Sequence, residues 1–226
     1  MEQSMIKDLT TGSVGKELLR FAFPFMLSNA LQTIYNLVDM VVVGQFVGSS
    51  GLSAVSIGGQ IVWLLSCIAI GYSSGGQIFI SQLVGAGDRA GIKRTIGTLF
   101  TVIAAFSILF TGVGIAFHGP LLTLLNTPQE AMEQASDYVV ICSAGMFFVY
   151  GYNTVSAVLR GMGDSTRPFL FIAIAAVLNV ILDLIFVGPL GMETAGAALA
   201  TTISQAVSFI ISVIYLYIRK ESFGFD

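Results

Sequence analysis

Six apolar stretches, each about as long as a membrane is thick, run along this chain, with polar residues gathered between them. A hydrocarbon core of about 30 Å takes about 20 largely apolar residues of helix. The stretches fall at roughly 21–43, 52–83, 96–117, 138–159, 168–187 and 194–218. The second is long enough to tilt or to reach beyond the bilayer. Their alternation is a poor match to a β-strand, and helices satisfy their own backbone groups in lipid. The pattern predicts an all-α integral membrane protein built as a six-transmembrane-helix bundle over 21–218. A polar lead-in at 1–20 precedes it and a short end follows at 219–226.

Composition strengthens the membrane reading. Of the 226 residues, 55% are hydrophobic and only 10% are charged, against about 25% charged in an average soluble domain. A soluble domain of this size could not cover its surface with so few charges. The net charge of −3 says less than the placement of the charges does. Lys7, Lys16 and Arg20 precede the first stretch, and Arg89, Lys93 and Arg94 lie between the second and third. Arg160 and Arg167 lie between the fourth and fifth, and Arg219 and Lys220 follow the sixth. Those are all 10 basic residues. The other three loops hold Glu130, Glu133, Asp137 and Glu193 instead. By the positive-inside rule, both termini and the two basic loops belong in the cytoplasm of a multi-pass plasma (inner) membrane protein.

The first twenty residues lack an apolar core and so do not read as a cleavable signal peptide. Cys67 and Cys142 sit inside apolar stretches and read as reduced packing residues. The lone histidine, His118, excludes a His-based metal cluster, and no nucleophile triad or phosphate loop points to an enzyme. The two basic loops share a glycine–aspartate pattern, GAGD at 85–88 and GMGD at 161–164. Glycine closes a helix in the left-handed conformation and aspartate caps the next start, so both read as tight turns. A gating role for their basic residues is the alternative.

Two acidic residues lie well inside the stretches, Asp39 in the first and Asp183 in the fifth. Each carries an insertion cost of about 2.5–3.5 kcal/mol, and such residues usually face a bundle interior or a watery cavity. Each stands five residues before a glycine that ends its stretch, Gly44 or Gly188. At 1.5 Å per residue, both carboxyls lie about 7–8 Å below the same boundary and can share one layer. Asn179 stands one turn from Asp183 on the same face. The first stretch carries a polar stripe at Asn29, Gln32, Asn36 and Asp39, and the sixth carries Thr201, Gln205, Ser208 and Ser212, with Thr202 beside its start. Two carboxylates with amide and hydroxyl oxygens make a hard oxygen site that suits Na⁺ or a shared proton. The rival reading has each Asp pair with helix donors or snorkel to the interface. Pro24 is a candidate hinge, since proline removes a helix hydrogen bond. Tyr35, Tyr150 and Asn153 join Asn29, Gln32, Asn36 and Gln205 as cavity-lining candidates, and Trp63 could line a pore; for Tyr150, Asn153 and Trp63 each taken alone, core packing is the stronger reading.

Several stretches together resemble the amino-terminal lobe of the multidrug and toxic compound extrusion (MATE) transporters. They are FPFMLSNALQTIYNLVDMVVVGQFVG in the first stretch, GLSAVSIGGQ entering the second, SQLVGAGD after it, LRGMGDSTRP after the fourth, NVILD in the fifth and GAALATTISQ in the sixth. The resemblance implies antiport: drug-like, often cationic organic compounds leave as Na⁺ or H⁺ enters, with no other cofactor. It further implies a cation site at Asp39, Asn179, Asp183 and Thr201, with Thr202 as the neighbouring choice, and a bend of the first helix at Pro24. Family members have two six-helix lobes with the substrate handled between them. The expected partners are therefore lipid, small organic substrates and a second lobe, either a missing carboxy-terminal half or a parallel homodimer copy. Residues 219–226 then read as a linker or truncation point. Nucleic acid is not an expected partner. Two rivals remain: a lipid-linked sugar flippase, disfavoured because no basic residue lies within a stretch, and a non-transporting subunit or remnant.

Overall fold

A computed structural model describes residues 13–219 of the chain. Residues 1–12 of the expected lead-in and 220–226 of the expected end, with Lys7 and Lys220, lie outside the described residues. Among those described, all regular structure is helical: α1 (Val14–Phe46), α2 (Ser49–Gly85), α3 (Arg89–Leu124), α4 (Gln129–Ala144), α5 (Met146–Gly161), α6 (Thr166–Phe186) and α7 (Glu193–Ile218).

The helices outrun the apolar stretches that predict them. At 37 residues, α2 is about 55 Å long, well over the thickness of a bilayer core. The last part of the lead-in, from Val14, is a direct extension of α1.

One expected span is not a single rod. The stretch at 138–159 is the meeting of α4 and α5, which bend by 48° at Gly145. A Cβ at Gly145 would stand only 2.6 Å from Thr202 Cγ2 and 2.9 Å from its Oγ1. α7 approaches so closely at this point that a side chain would have to displace Thr202, and the helix breaks at the residue that has none.

Four helices, α2, α3, α6 and α7, are long and apolar enough to cross a membrane, and the bent α4–α5 pair makes a fifth. α1 is long enough but is not in that set, because its polar stripe dilutes its apolar residues. It completes the bundle by packing on α6, with further contacts to α2 and α7. α2 packs on α3, α4 and α5, and α7 on α4, α5 and α6. The outer faces are studded with exposed apolar side chains; Ile108 is 75% exposed and Val177 63%. Faces of this kind are lipid-facing in a membrane protein and foreign to a soluble monomer. The chain is a multi-pass membrane protein.

Both glycine–aspartate turns form as the sequence predicts. Gly87 and Gly163 take left-handed φ values of 70° and 89°. Asp88 Oδ1 accepts a hydrogen bond from the Gly91 amide at 2.9 Å, and Asp164 Oδ1 accepts from the Thr166 and Arg167 amides at 3.1 and 3.2 Å. The end of the bundle that carries these turns is termed the basic end below.

Candidate functional site

α1, α6 and α7 bring one buried polar cluster together near the end of the bundle opposite the basic turns. Asp39 comes from α1, Asn179 and Asp183 from α6, and Thr201 from α7. Asp39 is 3% exposed, Asn179 1% and Asp183 0%. Neither carboxyl faces lipid, which removes the snorkelling alternative.

The hydrogen bonds within the cluster run in one direction. Asn179 Nδ2 donates to Thr201 Oγ1 at 3.4 Å, and that hydroxyl donates to Asp39 Oδ2 at 3.2 Å. The donors are then spent. Asp39 Oδ1, Asn179 Oδ1 and both Asp183 oxygens are buried and accept from no protein donor. The Asp39 and Asp183 carboxyls are neighbours in the cluster, but two carboxylates offer no hydrogen to share. A bond between them forms only when one carries a proton.

Buried polar groups normally have partners, so four orphaned oxygens at one place call for a positive species. No arginine, lysine or histidine supplies it within the cluster. A proton held between the carboxyls, or a hard cation such as Na⁺ on carboxylate, amide and hydroxyl oxygens, fits the donor set. No group of three or more His, Cys, Asp or Glu side chains suited to a transition metal occurs among the described residues.

Beside the cluster lies a cavity of about 410 Å³, lined from α1, α2, α4, α5 and α7. Gln32, Tyr35, Asn36, Asn153 and Gln205, expected from sequence as cavity residues, line it, as do Asp39, Thr201 and Thr202. Asp39 is the one charged side chain in that lining, and Asp183 and Asn179 stand behind it. Gln205 Nε2 donates to Tyr35 Oη at 3.1 Å, closing the floor between α7 and α1.

Three expectations are corrected or narrowed. Tyr150 does not line the cavity: it is fully buried, its hydroxyl donates to the Leu65 carbonyl at 2.6 Å, and it serves the α2–α5 core. Asn29 is exposed on the outside of α1, a turn beyond the cavity. Thr202 touches the cavity but packs at Gly145, and the cluster hydrogen bonds go to Thr201. Pro24 lies within α1, which continues through it, and Ser28 Oγ donates to the Pro24 carbonyl at 2.9 Å.

Some lining residues escaped the sequence reading. α2 contributes Ser56, Gln60, Ser66 and Ile70, which together with the expected Trp63 form one line. Their spacing of four, three, three and four residues is a helical stripe, the signal that could have found them. Trp63 is 66% exposed, so its indole face is open to a guest. Tyr138 and Cys142 of α4 also line the cavity, beyond the bend at Gly145.

Comparison with known proteins gives consistent results. The MatE family model matches residues 24–185. The chain is 35% identical over 213 residues to the probable multidrug resistance protein YpnP of Bacillus subtilis (strain 168), covering 94% of this chain and 48% of that protein. Among solved structures, one described as MATE in the bent conformation superposes with a TM-score of 0.87 at 28% identity, over 94% of this chain and 47% of that one. Another, described as MATE in the straight conformation, gives 0.85 at 26% identity, over 96% of this chain and 48% of that one. The chain spans about half the length of the curated relatives it matches.

Proposed function

This chain belongs to the MatE family, and from that premise we propose that it forms one lobe of a cation-coupled antiporter that expels drug-like, often cationic organic compounds. The observation that carries the reading is the double use of Asp39. Its carboxyl belongs to the buried cluster with Asp183, Asn179 and Thr201, and it is also the sole charge lining the cavity. An organic cation in the cavity and Na⁺ or H⁺ in the cluster both draw on that one carboxyl. Each is expected to weaken the other's hold. A ligand shifts a conformational equilibrium only by its differential affinity for the two states. Filling the cluster therefore favours the state that has released its guest.

The lining chemistry supports an organic guest. Amides at Gln32, Asn36, Gln60, Asn153 and Gln205 offer both donors and acceptors, and Trp63 and Tyr138 offer aromatic faces. No basic side chain occurs in the lining, and this speaks against a site for anionic, lipid-linked sugars. The relative named as a multidrug resistance protein supports the same class of cargo.

On this reading, the domains are a cytoplasmic lead-in at 1–20, a transmembrane lobe at 21–218 and a cytoplasmic end at 219–226. The basic end faces the cytoplasm of the plasma membrane. Pro24 is the hinge of α1; solved relatives described in bent and straight conformations motivate that role. A second six-helix lobe, from further chain or a second copy, supplies the other wall of the path.

The test is cation-driven efflux of a fluorescent organic cation from vesicles, using the chain together with whatever second lobe it works with. Replacing Asp39 or Asp183 by Asn is expected to abolish the response to an imposed Na⁺ or proton gradient. Undiminished gradient-driven efflux in both variants rejects the coupling role.

A further inference from the structure

Below the carboxyl cluster, toward the basic end, the seam between α5, α6 and α7 contains polar groups that its packing does not explain. On α7 the stripe continues from Thr201 through Gln205 to Ser208 and Ser212. Serines inside helices normally bond back to a carbonyl of the preceding turn. Ser204 does so to Ala200 O at 2.7 Å and Ser212 to Phe209 O at 2.7 Å. Ser208 and Ser156 are 0% and 1% exposed; the Ser208 hydroxyl has no partner, and that of Ser156 bonds to no backbone carbonyl and has the Tyr152 hydroxyl as its neighbour. An unsatisfied buried hydroxyl is destabilising, a loss that alanine at the same place would avoid.

The positions follow one another toward the basic end along α7 and α5. Ser208 lies about 10 Å along α7 from Thr201. At its level, Gly151 of α5 packs against Phe209, so α5 meets α7 there. Ser156 is five residues further along α5 toward the basic end. Above Ser208, Gln205 holds Tyr35, which stands one turn from Asp39 on the same face of α1. Near the basic end, the Tyr152 hydroxyl donates to Pro168 O at 2.9 Å. Donor-bearing groups therefore recur along α7 from the carboxyl pair toward the basic end, and water is the group small enough to complete the hydrogen bonding of Ser208 and Ser156.

We propose that this seam holds ordered water at Ser208 and Ser156 and that this water carries the coupling proton between the Asp39–Asp183 pair and the basic end. The inference rests on the coupling-site reading above. The transfer balances as a relay. The O–H bond of the protonated carboxyl breaks and a neighbouring oxygen takes the proton. Each oxygen along the seam passes on one of its own, so a carboxylate remains and one proton emerges into the water at the basic end.

A structure of the full chain in lipid, at a resolution that shows ordered solvent, is expected to place water within hydrogen-bonding distance of both hydroxyls. Ser208→Ala is expected to lower the melting temperature, because a hydrated hydroxyl is lost; removing a dry orphan would leave it unchanged or raise it. Ser208→Leu, which fills the seam, is expected to slow guest-triggered proton release about tenfold without changing the affinity for the organic cation. A dry seam, a Ser208→Ala variant no less stable than its parent, or undiminished release by Ser208→Leu overturns the proposal. If the unsubstituted chain releases no proton but binds Na⁺ at the carboxyl pair, the relay is overturned; if it binds neither ion, it is the coupling-site reading that has failed.

Discussion

The hydroxyl of Thr201 donates to Asp39 Oδ2 at 3.2 Å across 162 residues of chain, tying α7 to α1 at the mouth of the cavity. The same hydroxyl accepts from Asn179. One oxygen thus orients two of the groups that face the ion site without exhausting their acceptor capacity. Thr201→Val removes both bonds while keeping the shape close, and Thr201→Ser keeps the hydroxyl. A hydrogen bond to a charged group contributes about 1.5–3 kcal/mol. Titration of Na⁺ binding is expected to show at least a tenfold loss for Thr201→Val and near-parent affinity for Thr201→Ser.

The bend between α4 and α5 depends on a missing side chain. Gly145→Ala pushes a methyl into Thr202 and is expected to cost about 1–3 kcal/mol by overpacking. Thermal unfolding in lipid nanodiscs measures it. Adding Thr202→Ala, which clears both Cγ2 and Oγ1, is expected to recover most of the loss. Equal stability of the single variant and its parent would show that the approach of α7 does not set the bend.

Trp63 presents its indole to the cavity while taking no part in the carboxyl cluster. Trp63→Ala is expected to weaken binding of an aromatic organic cation by roughly 0.5–2 kcal/mol, and Trp63→Phe by less. Binding of the coupling ion is expected to stay the same in both. Fluorescence titration with the organic cation, alongside an ion-binding titration, separates the two effects.

Arg160 joins α5 to the segment of α1 next to Pro24. Its guanidinium lies 5.0 Å from the centre of the Phe25 ring, and its Nε donates to Gln77 Oε1 at 3.0 Å. A double-mutant cycle with Arg160→Ala and Phe25→Ala is expected to give a coupling of about 0.5–1 kcal/mol. Spin labels on the start of α1 and on α2 are expected to show a broader distance distribution in Arg160→Ala. This is the form in which a gating role for the basic turn residues becomes measurable.

Much of this was legible in the sequence, for reasons that differ from residue to residue. Asp39 and Asp183 stood out because a carboxyl in an apolar stretch is costly, and their equal distance from Gly44 and Gly188 gave their depth. Asn179 and Thr201 followed from helical spacing. The turns at Gly87 and Gly163 were readable because their chemistry is local. The bend at Gly145 was not, since it comes from Thr202 on a helix more than fifty residues away. For Tyr150 the sequence left core packing and cavity lining both open, for a related reason: its hydroxyl is satisfied by the Leu65 carbonyl, a partner that only the packing of α2 on α5 provides. The α2 stripe from Ser56 to Ile70 went unread because serine and glutamine in a long apolar run cost less than a carboxylate and draw less notice.

The central claim is that the Asp39–Asp183 pair holds one positive ion. Binding of radioactive sodium, and of protons by indicator dye, to the purified full chain in lipid tests it most directly. The account predicts one sodium ion or one proton per chain, lost on replacing either Asp39 or Asp183 by Asn. Unchanged binding of both ions in either variant would contradict it.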